Sequence, residues 1–573
     1  MTEGPVTRCA VRAGSYHDSV VLMQLQRSLA ALPGVLDAGV VMATPANRDL
    51  LAAGGLEIGM EAGPGDLLIA VKAGSEAAAA EALSRVDALL RVRIAETGGE
   101  HRPRSLATAL KQLPEARWVL VSVPGRYAAG VAEEALDLGR NVFLYSDNVP
   151  LDREAALKRK ARDKGLLVMG PDCGTAWLGG VGLGFANRVR RGGVGLVGAS
   201  GTGLQAVMSH VHALGSGISQ AIGCGGRDLC AEVGGITAAQ GLDVLRRDPE
   251  TRVIVLIAKP PAPEVSVRLL ALARAAGKPV VVQLLGAPLP GRKIGNLYFA
   301  ASLSEAAEMA VELEKGAIVE TPGSPPRQGR RHLAQDLNPG LRAGAPAGAE
   351  KGFLRGLFSG GTLAYEALLA LSAVLSPISS NLSPGSKSPG GHAILDLGAD
   401  EFTVGRLHPM IDQDLRLRRL RQEAEDPAVG LILLDVVLGD GAHADPAGEL
   451  APVIAQVRQN RPLDVAVIVI GTADDPQDLA IQTDTLEAAG ARVFRTVTDA
   501  VEWVSSILAP AAKPEGKAVP LEAVQGPLAA INIGLESFHA SLLAQGAASV
   551  QVDWRPPAGG DERLAGILAR MKR

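Results

Sequence analysis

The stretch Gly-Leu-Val-Gly-Ala-Ser-Gly-Thr-Gly-Leu-Gln, residues Gly195–Gln205, decides the fold because it has the pattern of a buried strand that turns through glycines into a helix. A second stretch of this kind, Gly-Leu-Phe-Ser-Gly-Gly-Thr-Leu-Ala-Tyr, occupies Gly356–Tyr365. The segments downstream also correspond. Arg-Arg-Asp-Pro-Glu-Thr-Arg-Val-Ile-Val-Leu-Ile (Arg246–Ile257) matches Ala-Glu-Asp-Pro-Ala-Val-Gly-Leu-Ile-Leu-Leu-Asp (Ala424–Asp435). Similar segments in a fixed order indicate a duplicated α/β unit.

Each glycine turn leads into a helix N-terminus, where free N–H groups and the helix dipole favour an anion. Ser and Thr are also ordinary helix caps, so a single turn would leave both interpretations open. The duplication favours anion binding, and we predict that the two turns face each other and hold a phosphate or carboxylate from both sides. The predicted phosphate- or anion-binding residues all lie in glycine turns: Ser200, Gly201, Thr202, Gly360, Gly361, Thr362, Gly225 and Gly226.

The composition is typical of a multidomain α/β enzyme. The chain has 573 residues, too many for one hydrophobic core, which predicts about three to five domains. Hydrophobic residues make up 47%, charged residues 21% and aromatic residues 3%. A formal net charge of -4 and so few aromatic side chains argue against a nucleic-acid partner.

Cysteine usage and the absence of apolar runs indicate a cytoplasmic protein. The 4 cysteines form no C-x-x-C pair, so we expect no metal site and no disulfide framework. The N-terminus shows no basic segment followed by an apolar one, and no run is long enough to span a bilayer. We therefore predict no membrane partner.

Periodicity divides the chain into segments. Residues 1–95 predict an independent α+β module of β-α-β-β-α order, which resembles ferredoxin-like or ACT-type modules. Residues 100–191 alternate apolar strands with helices, as in a parallel sheet. The repeats occupy 192–320 and 353–508, and each predicts the same strand–helix alternation.

Two segments differ in composition from these domains. Residues 321–352 are rich in Pro, Gly, Arg and Ala, which predicts a flexible linker. Residues 521–573 predict a short strand–helix–strand tail. The tail carries Trp-Arg-Pro-Pro (Trp554–Pro557), a composition that suits a docking surface for a partner protein, although a small extension packed on its own chain is the alternative.

Four motifs in a fixed order resemble the α subunit of the nucleotide-forming succinyl-CoA synthetases. They are Gly-Pro-Asp-Cys (170–173), Ala-Ser-Gly-Thr-Gly (199–203), Gly-Cys-Gly-Gly-Arg-Asp (223–228) and Asp-Pro-Glu-Thr-Arg-Val-Ile-Val-Leu-Ile (248–257). The second repeat is similar to another copy of the ligase domain of that family.

Over nearly all of residues 1–508 the chain resembles the FdrA family. Gly-Ser-Tyr-His-Asp-Ser-Val-Val-Leu-Met (14–23), Ser-Gly-Gly-Thr-Leu-Ala-Tyr-Glu-Ala (359–367) and Arg-Leu-His-Pro-Met-Ile-Asp (406–412) carry this resemblance. It implies a multidomain α/β fold with a ferredoxin/ACT-like N-terminal module, a Rossmann-like domain of the CoA-binding type and two flavodoxin-like ligase domains.

The chain departs from the synthetases in two places. Synthetases carry a phosphohistidine after a Pro-x-Gly-Lys/Arg-Arg/Lys segment, but Asn296 stands there in Ala287–Asn296. An amide lacks the nucleophilic nitrogen that phosphoryl transfer needs. The 1–95 module also replaces the glycine-rich nucleotide loop of the synthetase CoA domain. CoA binding is therefore not implied, and the expected ligand is phosphate or carbamoyl phosphate.

FdrA proteins are associated with carbamoyl transfer, as a subunit of oxamate carbamoyltransferase in the breakdown of allantoin-type compounds. The resemblance implies transfer of a carbamoyl group between an amide nitrogen and phosphate, with a large partner subunit and with homo-oligomers as a further option. A nucleotide-driven acyl-CoA ligase is the first alternative. A non-catalytic assembly or sensor subunit is the second.

Four residues are predicted to be catalytic, and for three of them a plainer role stays open. His392 either contacts the substrate or is a loop histidine. Arg406 and His408 form a loop that either grips an anionic substrate or is a solvated turn. Tyr365 lies where the synthetases keep a Tyr near the acyl site. Asp228 either orients a hydrogen-bond donor or caps the next helix.

Overall fold

A computed structural model of the chain describes the residues on which the following account rests. They are residues 5–14, 19–53, 55–56, 59–63, 65–90, 103, 105–123, 125–287, 291–316, 352–375, 377–382, 391–403, 406–508, 528–533, 535–553, 567 and 571. Residues 321–351 of the predicted linker, residues 15–18 and Trp554–Pro557 lie outside them.

The N-terminal module is a three-stranded antiparallel sheet in the order β1-β3-β2, covered by helices. The strands are β1 (Val6–Arg12), β2 (Val35–Met42) and β3 (Leu67–Ala73). The helices are α1 (Ser19–Ala30), α2 (Pro45–Ala53) and α3 (Glu76–Ser84). This strand order fits a split βαβ module. Helix α2 was not predicted from the sequence.

A short parallel sheet follows, in the order β4-β5-β6. Its strands are β4 (Trp118–Val121), β5 (Asn141–Leu144) and β6 (Val168–Met169). Its helices are α4 (Leu106–Gln112), α5 (Gly125–Asp137) and α6 (Leu151–Asp163). Parallel strands joined by crossover helices agree with the Rossmann-like prediction.

The first repeat forms an eight-stranded sheet in the order β13-β14-β12-β11-β9-β10-β7-β8. Its strands are β7 (Thr175–Leu178), β8 (Val181–Gly184), β9 (Arg191–Ala199), β10 (Ile218–Gly223), β11 (Val253–Ala258), β12 (Val280–Leu284), β13 (Lys293–Ile294) and β14 (Leu297–Phe299). Its helices are α7 (Gly201–Ala213), α8 (Ile236–Arg247), α9 (Pro263–Arg274) and α10 (Leu303–Glu314). The antiparallel hairpin β7–β8, which the sequence did not reveal, extends this sheet.

The second repeat forms a six-stranded parallel sheet in the order β16-β17-β15-β18-β19-β20. Its strands are β15 (Phe353–Phe358), β16 (Ile378–Ser380), β17 (His392–Asp396), β18 (Val429–Val437), β19 (Asp464–Ile470) and β20 (Arg492–Phe494). Its helices are α11 (Gly361–Ser372), α12 (Asp400–Thr403), α13 (Asp414–Glu425), α14 (Pro446–Asn460), α15 (Leu479–Ala488) and α16 (Val497–Leu508).

The two repeats share one strand order. In the first, β10-β9-β11-β12-β14 are neighbours, and in the second β17-β15-β18-β19-β20 take the same positions. This is the 2-1-3-4-5 order of flavodoxin-like folds. The multidomain α/β fold class predicted from the sequence is confirmed, and the duplication extends to the strand order.

One hydrophobic core joins the repeats. Leu204 and Val207 of α7 pack in the same buried cluster as Leu363 and Ala367 of α11 and Val504 of α16. Because each glycine turn starts a helix of this shared core, the packing fixes the two turns relative to each other.

A separate compact unit, Pro510–Arg573, contains a strand–helix–strand element. Its strands β21 (Ala529–Ile533) and β22 (Ala548–Val552) form a parallel pair, and helix α17 (Glu536–Ala544) connects them. Within the described residues, no helix combines the length and apolar character required to cross a membrane.

Candidate functional site

A cavity of about 610 Å³ lies where the carboxyl ends of the strands of both repeats meet. Open α/β sheets bind ligands at this edge. The N-terminal module contributes Leu22 and Met42 to the lining, and the Rossmann-like sheet contributes Ser146 and Asp147. The site is therefore assembled from four parts of the chain.

Most of the predicted site residues line this cavity. They are Ser200, Gly201, Thr202, Gly225, Gly226, Gly360, Gly361, Thr362, Arg406 and His408. His392 and Tyr365 do not line it.

The first glycine turn is an open helix N-terminus. Ser200 caps α7 and accepts the N–H of Gly203 at 3.0 Å. The N–H groups of Gly201 and Thr202 belong to the first turn of a helix and have no intrahelical partner. The hydroxyl of Thr175, a residue 1% exposed, has no hydrogen-bond partner in the described structure. It lies 3.4 Å from where a Cβ on Gly201 would be, so a free donor stands beside the free N–H groups.

The two turns face each other, but they touch. The hydroxyls of Ser200 and Thr362 are hydrogen-bonded at 2.6 Å. A Cβ on Gly360 would lie 2.7 Å from Cγ2 of Thr202. The prediction that one anion sits between the two tips is therefore wrong, because side chains occupy that space.

The second turn already carries carboxylates of the chain itself. Asp435 accepts the N–H of Ser359 at 2.7 Å and the N–H of Gly360 at 2.9 Å. A Cβ on Gly361 would lie 2.4 Å from Oδ2 of Asp396. A phosphate at this turn would meet like charge. Gly360, Gly361 and Thr362 thus line the cavity without forming an open anion site.

Four carboxyl groups from separate elements face the cavity: Asp147, Asp172, Asp396 and Asp400. Burial, followed by repulsion from Asp400, Asp147 and Asp396, raises the pKa of Asp172 to about 7. Burial raises the pKa of Asp396 to about 6 although Lys259 opposes the shift. Burial also raises the pKa of Asp147. Carboxyl groups in this wall of the cavity therefore bind protons at a higher pH than free carboxyl groups do.

Lys259 is a cation beside the second turn. It follows β11 directly, and its Nζ lies 3.4 Å from where a Cβ on Gly361 would be. It opposes the upward shifts of the pKa values of Asp172 and Asp396, so it lies within electrostatic range of each. A flexible ammonium at this position supplies positive charge at the second turn.

Gly225 and Gly226 do not form an open anion site. Gly225 has φ +81° and a Cβ there would lie 2.2 Å from the carbonyl oxygen of Pro171, so the turn requires glycine. Oδ2 of Asp172 lies 3.3 Å from where a Cβ on Gly226 would be. The carboxyl group of Asp172 lies beside this turn, so a ligand anion there would be next to a carboxyl group.

Arg406 links two parts of the chain. Its Nε donates to Oδ1 of Asn47 at 2.6 Å, and its Nη1 lies 3.6 Å from Asp414. Its Nη2 is buried without a hydrogen-bond partner among the described residues. The loop is therefore not a solvated turn, and most of the guanidinium holds the N-terminal module against the second repeat.

His408 lies in the wall of the cavity, and its imidazole is neutral at neutral pH. Burial, and then the charge of Arg416, lowers the pKa of His408 to about 4. Its Nδ1 accepts the N–H of Met410 at 3.2 Å, which assigns the ring proton to Nε2. The ring packs at 5.4 Å from that of Phe185. Such an imidazole acts as a hydrogen-bond donor rather than as a cation at neutral pH.

His392 and Tyr365 do not fit the predicted catalytic roles. His392 begins β17, whose other end carries Asp396, so the histidine lies at the opposite edge of the sheet. Its Nδ1 accepts the N–H of Leu354 at 3.0 Å. Tyr365 lies one turn into α11 and places its hydroxyl 3.3 Å from where a Cβ on Gly286 would be.

Asn296 and Asp228 have structural contacts. The amide of Asn296 donates to the carbonyls of Ala273 at 3.1 Å and Lys278 at 2.8 Å. Asp228 accepts the N–H groups of Thr237 and Ala238 at the start of α8, so it acts as a helix cap.

Sequence reasoning missed Thr175, Asp172, Lys259 and Asp396. The last two were accessible to it, because each stands at the carboxyl end of an apolar strand, where parallel sheets place ligand-contacting side chains. Asp172 lay inside a quoted motif without receiving a role. Thr175 gave no signal. In the described part of the chain, no group of three or more His, Cys, Asp or Glu side chains has an arrangement that could hold a metal ion.

Comparisons with protein families match three regions. Residues 2–104 match the AllF heavy metal-associated domain. Residues 191–319 match the succinyl-CoA ligase-like flavodoxin domain, and residues 357–507 match the CoA-ligase domain.

Individual proteins and one solved structure are also similar to this chain. The uncharacterized protein YahF of Escherichia coli is 39% identical over 502 residues, which cover 84% of this chain and 95% of YahF. Subunit alpha 1 of the ADP-forming succinate–CoA ligase of Archaeoglobus fulgidus is 29% identical over 31% of this chain and 61% of that subunit. The apo dinucleotide-forming acetyl-coenzyme A synthetase 1 of Ca. Korarchaeum cryptofilum matches 68% of this chain and 82% of that chain, with 18% identity and a TM-score of 0.28.

Proposed function

Since the chain belongs to the FdrA family, which is built on the succinyl-CoA synthetase scaffold, we propose that it is a carbamoyltransferase subunit. The reaction moves a carbamoyl group between phosphate and an amide nitrogen, with oxamate or another ureido-forming amide as the acceptor. Carbamoyl phosphate is the phosphorylated product or donor.

The observation that carries this proposal is the unequal chemistry of the two turns in one cavity. The first turn offers free N–H groups at Gly201 and Thr202 and the free hydroxyl of Thr175. These donors suit phosphate. The second turn offers the carboxyl group of Asp396, which suits the N–H₂ of a carbamoyl group.

Lys259 supports the same assignment. An ammonium at the second turn neutralises charge that develops on the carbonyl oxygen during transfer. No covalent relay is needed for this reaction, since the cavity brings the two reactants together. The amide of Asn296 is bonded to two carbonyls and does not line the cavity.

The test is a carbamoyl phosphate assay on the full-length chain, purified under native conditions so that any bound partner comes with it. We expect phosphate-dependent cleavage of N-carbamoyl oxamate to oxamate and carbamoyl phosphate, with no need for CoA or nucleotide. Ser200→Ala and Thr362→Ala, which remove the hydroxyls between the turns, should lower kcat/KM about tenfold or more.

Ser506→Ala is the matched control, because Ser506 donates only to the carbonyl of Trp503 in its own helix. If Ser200→Ala and Thr362→Ala behaved like this control, the cavity would not be the reaction site and a sensor role would gain support. Transfer of the γ-phosphoryl group of ATP to the protein would instead favour the acyl-CoA ligase that the succinate–CoA ligase relatives suggest.

We also propose that the C-terminal unit binds the partner subunit. Ile531, Ile533 and Phe538 are 72%, 60% and 61% exposed on this unit. A two-stranded sheet with exposed apolar side chains is marginal in water, and a partner surface would cover it. Deletion of residues 521–573 should abolish co-purification of the partner while leaving the melting temperature of the remaining chain unchanged.

A further inference from the structure

The side chain of Asp172 projects into the cavity without a hydrogen-bond partner among the described residues. Its backbone has φ +54°, and its N–H donates to the carbonyl of Ser146 at 3.0 Å. Asp172 is exposed and lines the cavity, and the surrounding protein still removes part of the water from its carboxyl group. The backbone thus fixes a free carboxyl group at the reaction site.

Two of the other carboxyl groups have contacts that Asp172 lacks. Asp396 accepts the N–H of Gly398 at 3.0 Å and lies near Lys259. Asp147 accepts the hydroxyl of Thr403 at 3.5 Å. Asp172 faces both and has no such compensation, so a proton resides on Asp172 more readily than on Asp147 or Asp396.

Tyr145 and Cys173, two titratable groups that interact with Asp172, do not compete for this proton. Burial raises the pKa of the Tyr145 hydroxyl above its usual range. Burial raises the pKa of the Cys173 thiol to about 12. Lys259 opposes the upward shift of the pKa of Asp172 but does not cancel it, which leaves that pKa at about 7. This value is close to that of an efficient proton donor at neutral pH.

An independent feature shows that the cavity is built for a polar ligand. The unpartnered hydroxyl of Thr175 is almost fully buried and stands beside the start of α7. A buried hydroxyl without a partner is costly, and a bound ligand would satisfy it. The acidic wall and this donor line the same cavity.

We infer that Asp172 is the proton-transfer residue of the carbamoyl transfer, an inference that rests on the proposed function. A phosphate oxygen forms a bond to the carbamoyl carbon, and the bond from that carbon to the amide nitrogen breaks. The carboxylic acid of Asp172 gives its proton to the leaving nitrogen. The resulting carboxylate takes up the proton that the phosphate hydroxyl releases, so HPO₄²⁻ and the ureido compound give the carbamoyl phosphate dianion and the free amide.

The test compares wild type with Asp172→Asn and Asp172→Glu in the full-length chain. Asparagine tolerates a positive φ, so the fold should persist. Asp172→Asn should lower kcat for N-carbamoyl oxamate about 10²- to 10⁴-fold, and Asp172→Glu should restore part of it. The loss should shrink with a nitrophenylurea, whose leaving nitrogen needs less protonation.

A second measurement, infrared spectroscopy, does not depend on catalytic activity. The infrared difference spectrum between wild type and Asp172→Asn should show a carboxylic acid carbonyl band at neutral pH that disappears on titration to about pH 9. Asp478→Asn is the matched control, because Asp478 has φ +57° and caps α15 away from the cavity. It should change neither readout.

The outcomes separate the two proposals. Absence of carbamoyl transfer in wild type would refute the proposed function, whatever the spectrum shows. Active wild type with an Asp172→Asn variant within threefold of it would refute the role of Asp172 alone. A carboxylic acid band that is missing at neutral pH would also refute that role.

Discussion

At the scale of single residues, the hydroxyl of Thr175 distinguishes a binding role from a structural one. It is buried, makes no hydrogen bond within the described structure, and stands beside the open N-terminus of α7. A side chain that served the fold would have its polar atom satisfied. The group is therefore better explained by what enters the cavity.

Replacing Thr175 by Val should weaken phosphate binding while leaving the protein at least as stable. Val keeps the shape and removes a hydroxyl that is buried without a partner, so the melting temperature should stay or rise slightly. The KM for phosphate should rise about tenfold. Steady-state kinetics and thermal melting measure the two effects.

Thr485→Val serves as the control, since the hydroxyl of Thr485 bonds only within its own helix, to Ile481. A Thr175→Val protein that melts several degrees lower, with an unchanged KM for phosphate, would show that the hydroxyl is structural.

At this scale the sequence predicted the position of the site better than its charge. Ser200 and Gly360 occupy equivalent places in two similar turns, and the pattern gave them equal roles. The structure shows that Asp435, 75 residues beyond Gly360, fills the second turn. His392 was misplaced for an avoidable reason, because a residue that precedes a parallel strand lies at the edge opposite to the ligand.

At the scale of secondary-structure elements, a buried charge cluster holds α6 against the first repeat. Nζ of Lys158 lies 2.9 Å from Glu154 and 2.7 Å from Asp228, and all three side chains are fully buried. The ammonium also donates to the carbonyl of Cys224 at 2.9 Å. Removing the cation would leave Asp228 with backbone N–H groups alone and Glu154 with the half-exposed Arg227 as its ionic partner.

Lys158→Met should therefore lower the free energy of unfolding by about 3–5 kcal/mol, as measured by urea denaturation. The control is Lys160→Met on the same helix, where the pairs with Glu133 and Asp137 are largely exposed and a change below about 1 kcal/mol is expected. Equal losses in the two variants would contradict the argument.

Glu366 makes the contact between α11 and α10 depend on pH. Its Oε1 accepts the N–H of Leu303 at 2.9 Å, while Oε2 has no partner within the described structure. Burial raises the pKa of Glu366 to about 7. Because the folded state binds the proton more tightly, this group stabilises the fold fully below the pKa of the unfolded chain. That stability is lost as pH rises through about 7.

Glu366→Gln should abolish this dependence, since the amide keeps the acceptor and carries no charge. Above about pH 8 the variant should be more stable than wild type, on the order of 2–3 kcal/mol, with the difference vanishing below about pH 4.5. Chemical denaturation across this range tests the sign. Glu502→Gln, at an exposed position of α16, should follow wild type at every pH.

Secondary-structure elements were largely predictable because strands and helices each have a characteristic local periodicity of apolar residues in the sequence. The strand–helix alternation of the repeats was predicted, and the duplicated turns revealed the repeats themselves. The hairpin β7–β8 was not predicted, since Gly-rich Thr175–Gly184 carries little periodicity. The convergence of Asp147, Asp172 and Asp396 was also beyond reach, because three different segments supply them and only tertiary packing brings them together.

At the scale of the whole molecule, the N-terminal module is attached to the second repeat by a pair of charged groups. Both terminal nitrogens of Arg418 contact the carboxylate of Asp37, at 2.9 and 3.1 Å. The Arg418 side chain is 8% exposed, so the pair is shielded from solvent on the arginine side. Through this contact the module supplies Leu22 and Met42 to the cavity.

Arg418→Ala should loosen the module without unfolding the repeats. Hydrogen exchange should speed up in β2, which carries Asp37, while β18 stays protected. The reaction rate should fall because the cavity loses part of its wall. Arg421→Ala changes an exposed residue of the same helix and should affect neither hydrogen exchange nor the reaction rate. Faster hydrogen exchange throughout the chain of Arg418→Ala would instead mean that the module and the repeats unfold as one unit.

The unequal filling of the two glycine turns has a consequence for how a ligand enters. Two identical halves related by a two-fold axis would accept an elongated molecule in either of two orientations. With Asp435 seated on one half, only one orientation keeps a negative group away from a carboxylate. The two ends of a bound molecule would therefore meet different chemical groups, and the cavity distinguishes one orientation from the other.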